Sequence, residues 1–166
     1  MTWITALYIG NLLMKHFLVI LVLAGILSMS AQSDDAKDRA AIRQTALDYI
    51  ESQHVPAPEQ MDKALHTELK KRTYWKKTND TEFVLETSRD TMLWVAENYN
   101  KEGDAFPPSP RKDVKILDID GRVASVKLTA DDWIDYMHMM KLEDDSWKII
   151  NVLWKFNDQS KHISKE

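Results

Sequence analysis

Apolar residues recur at helical spacing in three parts of the chain, which predicts three helices. The first helix ends near Gln53, the second begins at Pro58, which suits a first helical turn, and the third runs to about Asn100. Thr87-Ser88-Arg89-Asp90 resembles a capping box in front of the third helix. The residues predicted to face the core are Ile42, Ala46, Tyr49, Ile50, Met61, Ala64, Leu65, Met92, Val95, Ala96 and Tyr99.

Alternation of apolar and polar residues predicts six strands. Two of them, over 69–77 and 82–86, lie between the second and third helices, and four longer ones follow a loop that contains Pro107-Pro108-Ser109-Pro110. These four cover residues 114–119, 122–129, 133–142 and 147–156, and Asp120-Gly121 is a strong hairpin signal between the first two of them. This order predicts an α+β fold in which three helices pack on one face of a strongly curved, mainly antiparallel sheet.

The first 33 residues differ in composition from the rest, since all 26 acidic residues lie after them. Met14-Lys15-His16 gives a basic start, Phe17 to Leu27 is apolar, and Ser28-Met29-Ser30-Ala31 supplies small residues for cleavage. This pattern predicts a signal peptide over residues 1–31, followed by one secreted or periplasmic domain over 32–166. Residues 1–13 precede a signal that is complete without them, which suggests an over-called translation start. The apolar run is shorter than the roughly 20 residues of a membrane span, so no stable anchor is expected after cleavage, although an uncleaved anchor that also uses Trp3 to Leu13 stays open.

Composition excludes several classes of function. The chain has no cysteine, so thiol catalysis and cysteine-ligated zinc are excluded. Net charge is -4 and the basic residues are scattered, so we expect no nucleic-acid partner. His54, His66, His138 and His162 show no paired metal-ligand spacing, and no motif predicts a metal or a cofactor.

Several motifs resemble those of the nuclear transport factor 2-like superfamily, and more narrowly its putative lumazine-binding group. The motifs that carry the resemblance are Ala64-Leu65-His66, Lys71-Arg72, Ala124-Ser125-Val126-Lys127-Leu128, Trp133-Ile134-Asp135-Tyr136-Met137-His138 and Trp147-Lys148-Ile149-Ile150-Asn151-Val152-Leu153-Trp154. The resemblance covers about residues 36–156, and Thr67 departs from it where the group often has proline. It implies a cone-shaped fold with a pocket at the wide end, and often a homodimer. It implies no single reaction, because the superfamily includes isomerases, dehydratases, cyclases and binding modules, and the word lumazine does not identify a ligand here.

Alternation along the strands predicts which side chains share a pocket. We assign the even-numbered residues of the strands over 122–129, 133–142 and 147–156 to the core and pocket. Tyr136, His138 and Trp154 would then line an apolar cone, joined by His66 at its mouth and by Trp75. These five residues are the predicted ligand-binding set, and the expected ligand is small and apolar or aromatic.

Two functions are compatible with that pocket. The first is a non-catalytic binding or accessory domain, because the pocket has few polar groups and no paired acid and base. The second is a cofactor-free isomerase, dehydratase or cyclase with His138 or His66 as base and Tyr136 as donor. Asp135 and Tyr136 are adjacent and point apart, which disfavours an isomerase built on that pair, although Glu86 or Asp90 remains open as a carboxylate. His138 is alternatively a core histidine that binds only protein atoms.

The odd-numbered residues of the last two strands are too apolar for a solvated face. They include Trp133, Met137, Met139, Trp147, Ile149 and Leu153. We therefore expect a homodimer through this sheet face, with Asp135 and Asn151 as interface polar groups. The competing interpretation inverts the faces, so that the odd-numbered residues line the pocket and Asp135 is its acid or base.

Overall fold

A computed structural model of the chain describes residues 34–77 and 81–164. The chain divides into two compact units, residues 1–39 and 40–166. Within the first unit the described residues 34–39 are helical, and Arg39 pairs with Asp35 at 2.8 Å. The predicted signal peptide and the over-called start lie outside the described residues. None of the described helices is long and apolar enough to cross a membrane.

The second unit contains the three predicted helices. Helix α1 covers residues 40–54, α2 covers Pro58–Ala64 and α3 covers Arg89–Asn98. Pro58 lies in the first turn of α2, where the missing N–H costs no helical hydrogen bond. Ser88 caps α3, since its side chain accepts a hydrogen bond from the Thr91 N–H at 3.2 Å.

Six strands form one sheet in the order β2-β1-β6-β5-β4-β3. All neighbours are antiparallel except β1 and β6, which are parallel. A short 3-10 helix, Gln159–Lys161, follows the last strand. The strands are β1 (Leu65–Lys76), β2 (Glu82–Ser88), β3 (Asp113–Asp120), β4 (Val123–Thr129), β5 (Trp133–Lys141) and β6 (Trp147–Phe156). The predicted α+β fold, with helices on one face of a curved sheet, is confirmed.

The core lies between the helices and one face of the sheet. Ile42, Ala46, Tyr49 and Ile50 of α1 are fully buried, as their spacing predicts. The Thr45 hydroxyl donates to the Trp147 carbonyl at 3.2 Å, which ties α1 to β6. The opposite face of the sheet, which we call the open face, carries the exposed side chains of the strands.

The predicted face of β5 is wrong. Met137 and Met139 are 1% exposed and Asp135 is 0% exposed, whereas Tyr136 is 43% exposed. The reason is the connection between β4 and β5, in which the Ala130 N–H binds the Trp133 carbonyl and so closes a two-residue loop, Asp131-Asp132. Paired residues share a face, so this loop aligns the even residues of β4 with the odd residues of β5. Ala124, Val126 and Leu128 are buried, as predicted.

Along β6 the residues that face the core change from odd-numbered to even-numbered. Its pairing with β5 runs from His138↔Asn151 to Met139↔Ile149, which leaves Ile150 as an extra residue in a β-bulge. Trp147 and Ile149 are buried before the bulge, and Val152 is buried after it. The even-face prediction therefore holds for β6 only after the bulge.

These contacts overturn the observation behind the predicted dimer. Of the odd-numbered apolar residues assigned to an uncovered face, only Leu153 is exposed, at 58%; the others are buried in the core: Trp133, Met137, Met139, Trp147 and Ile149. Asp135 is also buried in the core rather than placed at an exposed face, so its assignment as an interface group is wrong. The homodimer itself remains a prediction.

Candidate functional site

A buried lysine and a buried aspartate meet under the helices. Lys71 points inward from β1, and its ammonium donates to the Asp135 Oδ1 at 2.9 Å and to the Tyr49 hydroxyl at 2.5 Å. The second carboxylate oxygen of Asp135 accepts the Trp133 indole N–H at 3.0 Å. The two charged side chains are 9% and 0% exposed. A buried ion pair is tolerated only with such compensating hydrogen bonds.

The network fixes the protonation states of Lys71 and Tyr49. Burial by itself lowers the pKa of Lys71, but the nearby Asp135 charge and the bond to Tyr49 outweigh it and raise that pKa above its ordinary value. Burial, followed by the Asp135 charge, raises the pKa of Tyr49 to about 12, although Lys71 acts in the opposite direction. At neutral pH Lys71 is therefore a cation and Tyr49 a neutral phenol.

Lys71 also lines a cavity of about 170 Å³ between α3 and the sheet, which we call the inner cavity. Most of its wall is apolar or aromatic. The lining residues are Gln53, Lys71, Thr87, Met92, Val95, Tyr99, Trp133, Trp154 and Phe156. The Lys71 ammonium lies 4.9 Å from the centre of the Trp154 ring, within the range of a cation–π contact.

A larger surface groove of about 620 Å³, which we call the outer groove, adjoins the inner cavity. Tyr99 and Phe156 line both, so the two spaces share this part of their walls. The other residues of the outer groove are Trp75, Asp132, Ser160, Lys161, Ile163 and Ser164. It is thus more polar than the inner cavity.

The C-terminal segment forms one wall of the outer groove. His162 is 2% exposed, and its Nε2 accepts the Phe156 backbone N–H at 2.8 Å. Burial lowers the pKa of His162, which keeps the ring neutral as this bond requires. The Trp75 indole donates to the Ser164 hydroxyl at 3.2 Å, and this bond holds the segment against β1.

The structure separates the five predicted ligand-binding residues into four places. Trp154 lines the inner cavity and Trp75 lines the outer groove, with ring centres 6.4 Å apart. Tyr136 and His138 lie on the open face, where the Asn151 amide is 3.2 Å from the His138 Nδ1. His66 lies at the start of β1, and its Nδ1 accepts the Glu68 backbone N–H.

The placement of Tyr136 and His138 in one pocket with Trp154 is therefore wrong. Both residues lie on β5 positions that the two-residue loop turns away from the helices. The inverted-face interpretation of β5 is the correct one. Its further assignment of Asp135 as an acid or base is not supported, because both Asp135 oxygens are bound to protein donors.

Sequence reasoning missed Tyr49 and Lys71 as site residues. One signal was present, since Lys71 stands between Leu69 and Thr73 on the face of β1 that is buried. A lysine at such a position predicts a buried partner of opposite charge. Nothing in the sequence identified that partner as Asp135, which lies 64 residues away and on a strand that does not neighbour β1.

Within residues 34–77 and 81–164, no group of three or more histidine, aspartate or glutamate side chains is placed to hold a metal ion.

Comparison with protein families gives a match over most of the chain. The model of a family described as putative lumazine-binding matches residues 37–155. No protein of curated function matches the chain.

Several solved structures share the fold. A nuclear transport factor 2-like protein of unknown function from Shewanella baltica is 18% identical, with 74% of this chain and 95% of that chain covered and a TM-score of 0.55. One from Silicibacter pomeroyi is 14% identical, with 76% and 98% covered and a TM-score of 0.54. One with a cystatin-like fold from Novosphingobium aromaticivorans is 9% identical, with 78% and 88% covered and a TM-score of 0.57. At these identities the likeness concerns the fold alone.

Proposed function

Because this chain belongs to the putative lumazine-binding family of nuclear transport factor 2-like domains, we propose that it binds a small organic molecule in the inner cavity. The observation that carries the proposal is the wall of that cavity, which is mainly apolar and aromatic with a few polar groups. Such a wall is typical of ligand sites rather than of a solvated cleft.

The size of the inner cavity limits the ligand. An engineered apolar cavity of about 150 Å³ takes up a benzene molecule, and the inner cavity is of similar volume, about 170 Å³. It therefore accommodates about one ring.

The chemistry of the cavity wall favours binding over catalysis. The raised pKa of Lys71 keeps it protonated, so it is neither a nucleophile nor a base at neutral pH. The raised pKa of Tyr49, about 12, likewise keeps its hydroxyl neutral. Among the described residues that line the inner cavity there is neither a histidine nor a carboxylate. His66 and His138 lie outside the inner cavity. His138 lines a separate space of about 380 Å³, and Tyr136, the donor of the alternative enzyme, is not among the described residues that line it.

We expect a small aromatic ligand to stabilise the domain and a filled cavity to abolish the effect. In a thermal-shift assay with a panel of one- and two-ring compounds, lumazine included, at least one compound should raise the melting temperature of the domain. A ligand that binds only the folded state stabilises that state by mass action. Val95→Phe places extra ring atoms in the inner cavity and should weaken the best ligand at least about tenfold in calorimetry, a loss of about 1.4 kcal/mol in binding free energy.

Trp94→Phe is the matched control, since Trp94 is the next residue of α3 and is 62% exposed. It should bind the same ligand as the wild type does. Unchanged affinity in Val95→Phe, or no stabilisation by any compound of the panel, would contradict binding in the inner cavity.

Export remains a proposal that rests on the basic, apolar and small-residue pattern of residues 14–31. N-terminal sequencing of the exported protein should find a start near Gln32. Recovery only in membranes with residues 14–31 intact would refute it.

We also propose a homodimer, now through the open face. Tyr136 and Leu153 are paired across β5 and β6 and are 43% and 58% exposed, so they form an apolar patch on that face. Light scattering at tens of micromolar should give a dimer, and Leu153→Asp should give a folded monomer because Leu153 is not part of the core. A wild-type monomer, or a Leu153→Asp dimer, would refute this interface.

A further inference from the structure

The Lys71 ammonium has one hydrogen-bond donor more than its protein partners use. An ammonium carries three N–H donors. One binds the Asp135 carboxylate and one binds the Tyr49 hydroxyl. Among the described residues this nitrogen donates no third hydrogen bond, and it also faces the Trp154 ring. Because Lys71 lines the inner cavity, the third donor is available to an acceptor in that cavity.

The charge of Lys71 is already compensated. Asp135 lies 2.9 Å from the ammonium and is fully buried, so the pair is neutral as a whole. A ligand carboxylate at Lys71 would place a second negative charge beside Asp135 in a region of low dielectric, with no second cation to balance it. Among the described residues that line the inner cavity, Lys71 is the single charged side chain. Transfer of an unbalanced charge into such a site is unfavourable.

We propose that the ligand of the inner cavity is a neutral ring compound with a carbonyl oxygen, and that this oxygen accepts a hydrogen bond from Lys71. The ring then lies among the apolar and aromatic side chains of the cavity, including Val95, Trp133 and Trp154. This inference rests on the proposed binding function and names the chemical class of the ligand for that same site.

Three compounds of nearly equal shape test the class. Acetophenone carries a neutral carbonyl, α-methylstyrene replaces its oxygen by a methylene group, and benzoate carries a negative charge. Calorimetry on the full chain should show that acetophenone binds at least about fivefold more tightly than α-methylstyrene, because a hydrogen bond to a charged donor favours the carbonyl. Benzoate should bind at least about tenfold more weakly than acetophenone.

The outcomes separate this inference from the proposed function. If none of the three compounds binds, and no compound of the wider panel binds either, the proposed function fails. If α-methylstyrene binds as tightly as acetophenone, or if benzoate binds more tightly than acetophenone, the cavity is a binding site but the inferred class of ligand is wrong.

A charge-free variant tests the role of Lys71 itself. Lys71→Met combined with Asp135→Asn removes both charges together and keeps an amide oxygen for the Trp133 indole. This variant should bind α-methylstyrene as tightly as the wild type does. The ratio of its affinities for acetophenone and α-methylstyrene should fall to about one. A preference that persists would place the carbonyl elsewhere in the cavity and overturn the inference. Circular dichroism checks that the variant is folded; if it is not, the three compounds on the wild type decide the question.

Discussion

Asp135→Ala should destabilise the domain by about 3–5 kcal/mol, which is the expected cost of leaving one partner of a buried ion pair without the other. Lys71 would keep only the Tyr49 hydroxyl as a polar partner, and its side chain is 9% exposed. The Trp133 indole would lose its acceptor at the same time. Urea unfolding followed by circular dichroism measures the change.

An exposed ion pair provides the matched control. Asp132 pairs with Lys161 at 2.9 Å, and both side chains are about half exposed. Asp132→Ala should therefore cost no more than about 1 kcal/mol. The Lys71→Met, Asp135→Asn variant should lose less stability than Asp135→Ala, because it leaves no uncompensated charge. Equal losses in Asp135→Ala and Asp132→Ala would show that the buried pair is not the stabilising unit described above.

Met137→Ala should cost about 2–5 kcal/mol, while Tyr136→Ala should cost less than about 1 kcal/mol. The two residues are adjacent on β5, but Met137 is 1% exposed in the core and Tyr136 is 43% exposed on the open face. Truncation of Met137 leaves a cavity that the packed core does not fill, and truncation of Tyr136 leaves none.

Chemical denaturation of both variants at a concentration where the wild type is monomeric separates folding from association. The reverse order of losses would mean that β5 presents its even-numbered residues to the helices. It would also return Tyr136 and His138 to a common pocket with Trp154.

The sequence pattern was sufficient to predict the elements and their order. Helical spacing in α1 located the buried residues Ile42, Ala46, Tyr49 and Ile50. Asp120-Gly121 located the β3–β4 hairpin, but the turn lies one residue later than predicted, at Gly121-Arg122, because Asp120 pairs with Val123 and Gly121 has a φ of 55°. Both are local signals, because each depends on neighbours within one turn of helix or one hairpin. They predict a class of fold without stating which strand lies beside which.

The site depends on relations that are not local. The parallel pairing of β1 with β6 brings Lys71 within reach of Asp135, and no short pattern encodes that pairing. The face of β5 was open to prediction from one observation, since a two-residue loop at Asp131-Asp132 pairs Ala130 with Trp133 and so fixes which residues of β5 face the helices. The bulge at Ile150 offered no comparable signal, because an apolar residue suits either face of a half-buried strand.

That bulge decides how the site responds to a change in the length of β6. Ile149 before it and Trp154 after it both face the helices, despite their opposite parity, because Ile150 adds one residue without a partner on β5. Deletion of Ile150 alone would restore unbroken pairing and leave Asn151 opposite His138 and Val152 opposite Met137, so Val152, Trp154 and Phe156 would stay on the side of the helices. Insertion of a second residue at this point would instead require a wider bulge or a shift of register, and a shift by one residue would turn the aromatic wall away from the inner cavity. Binding should therefore survive the loss of one residue here better than the gain of one.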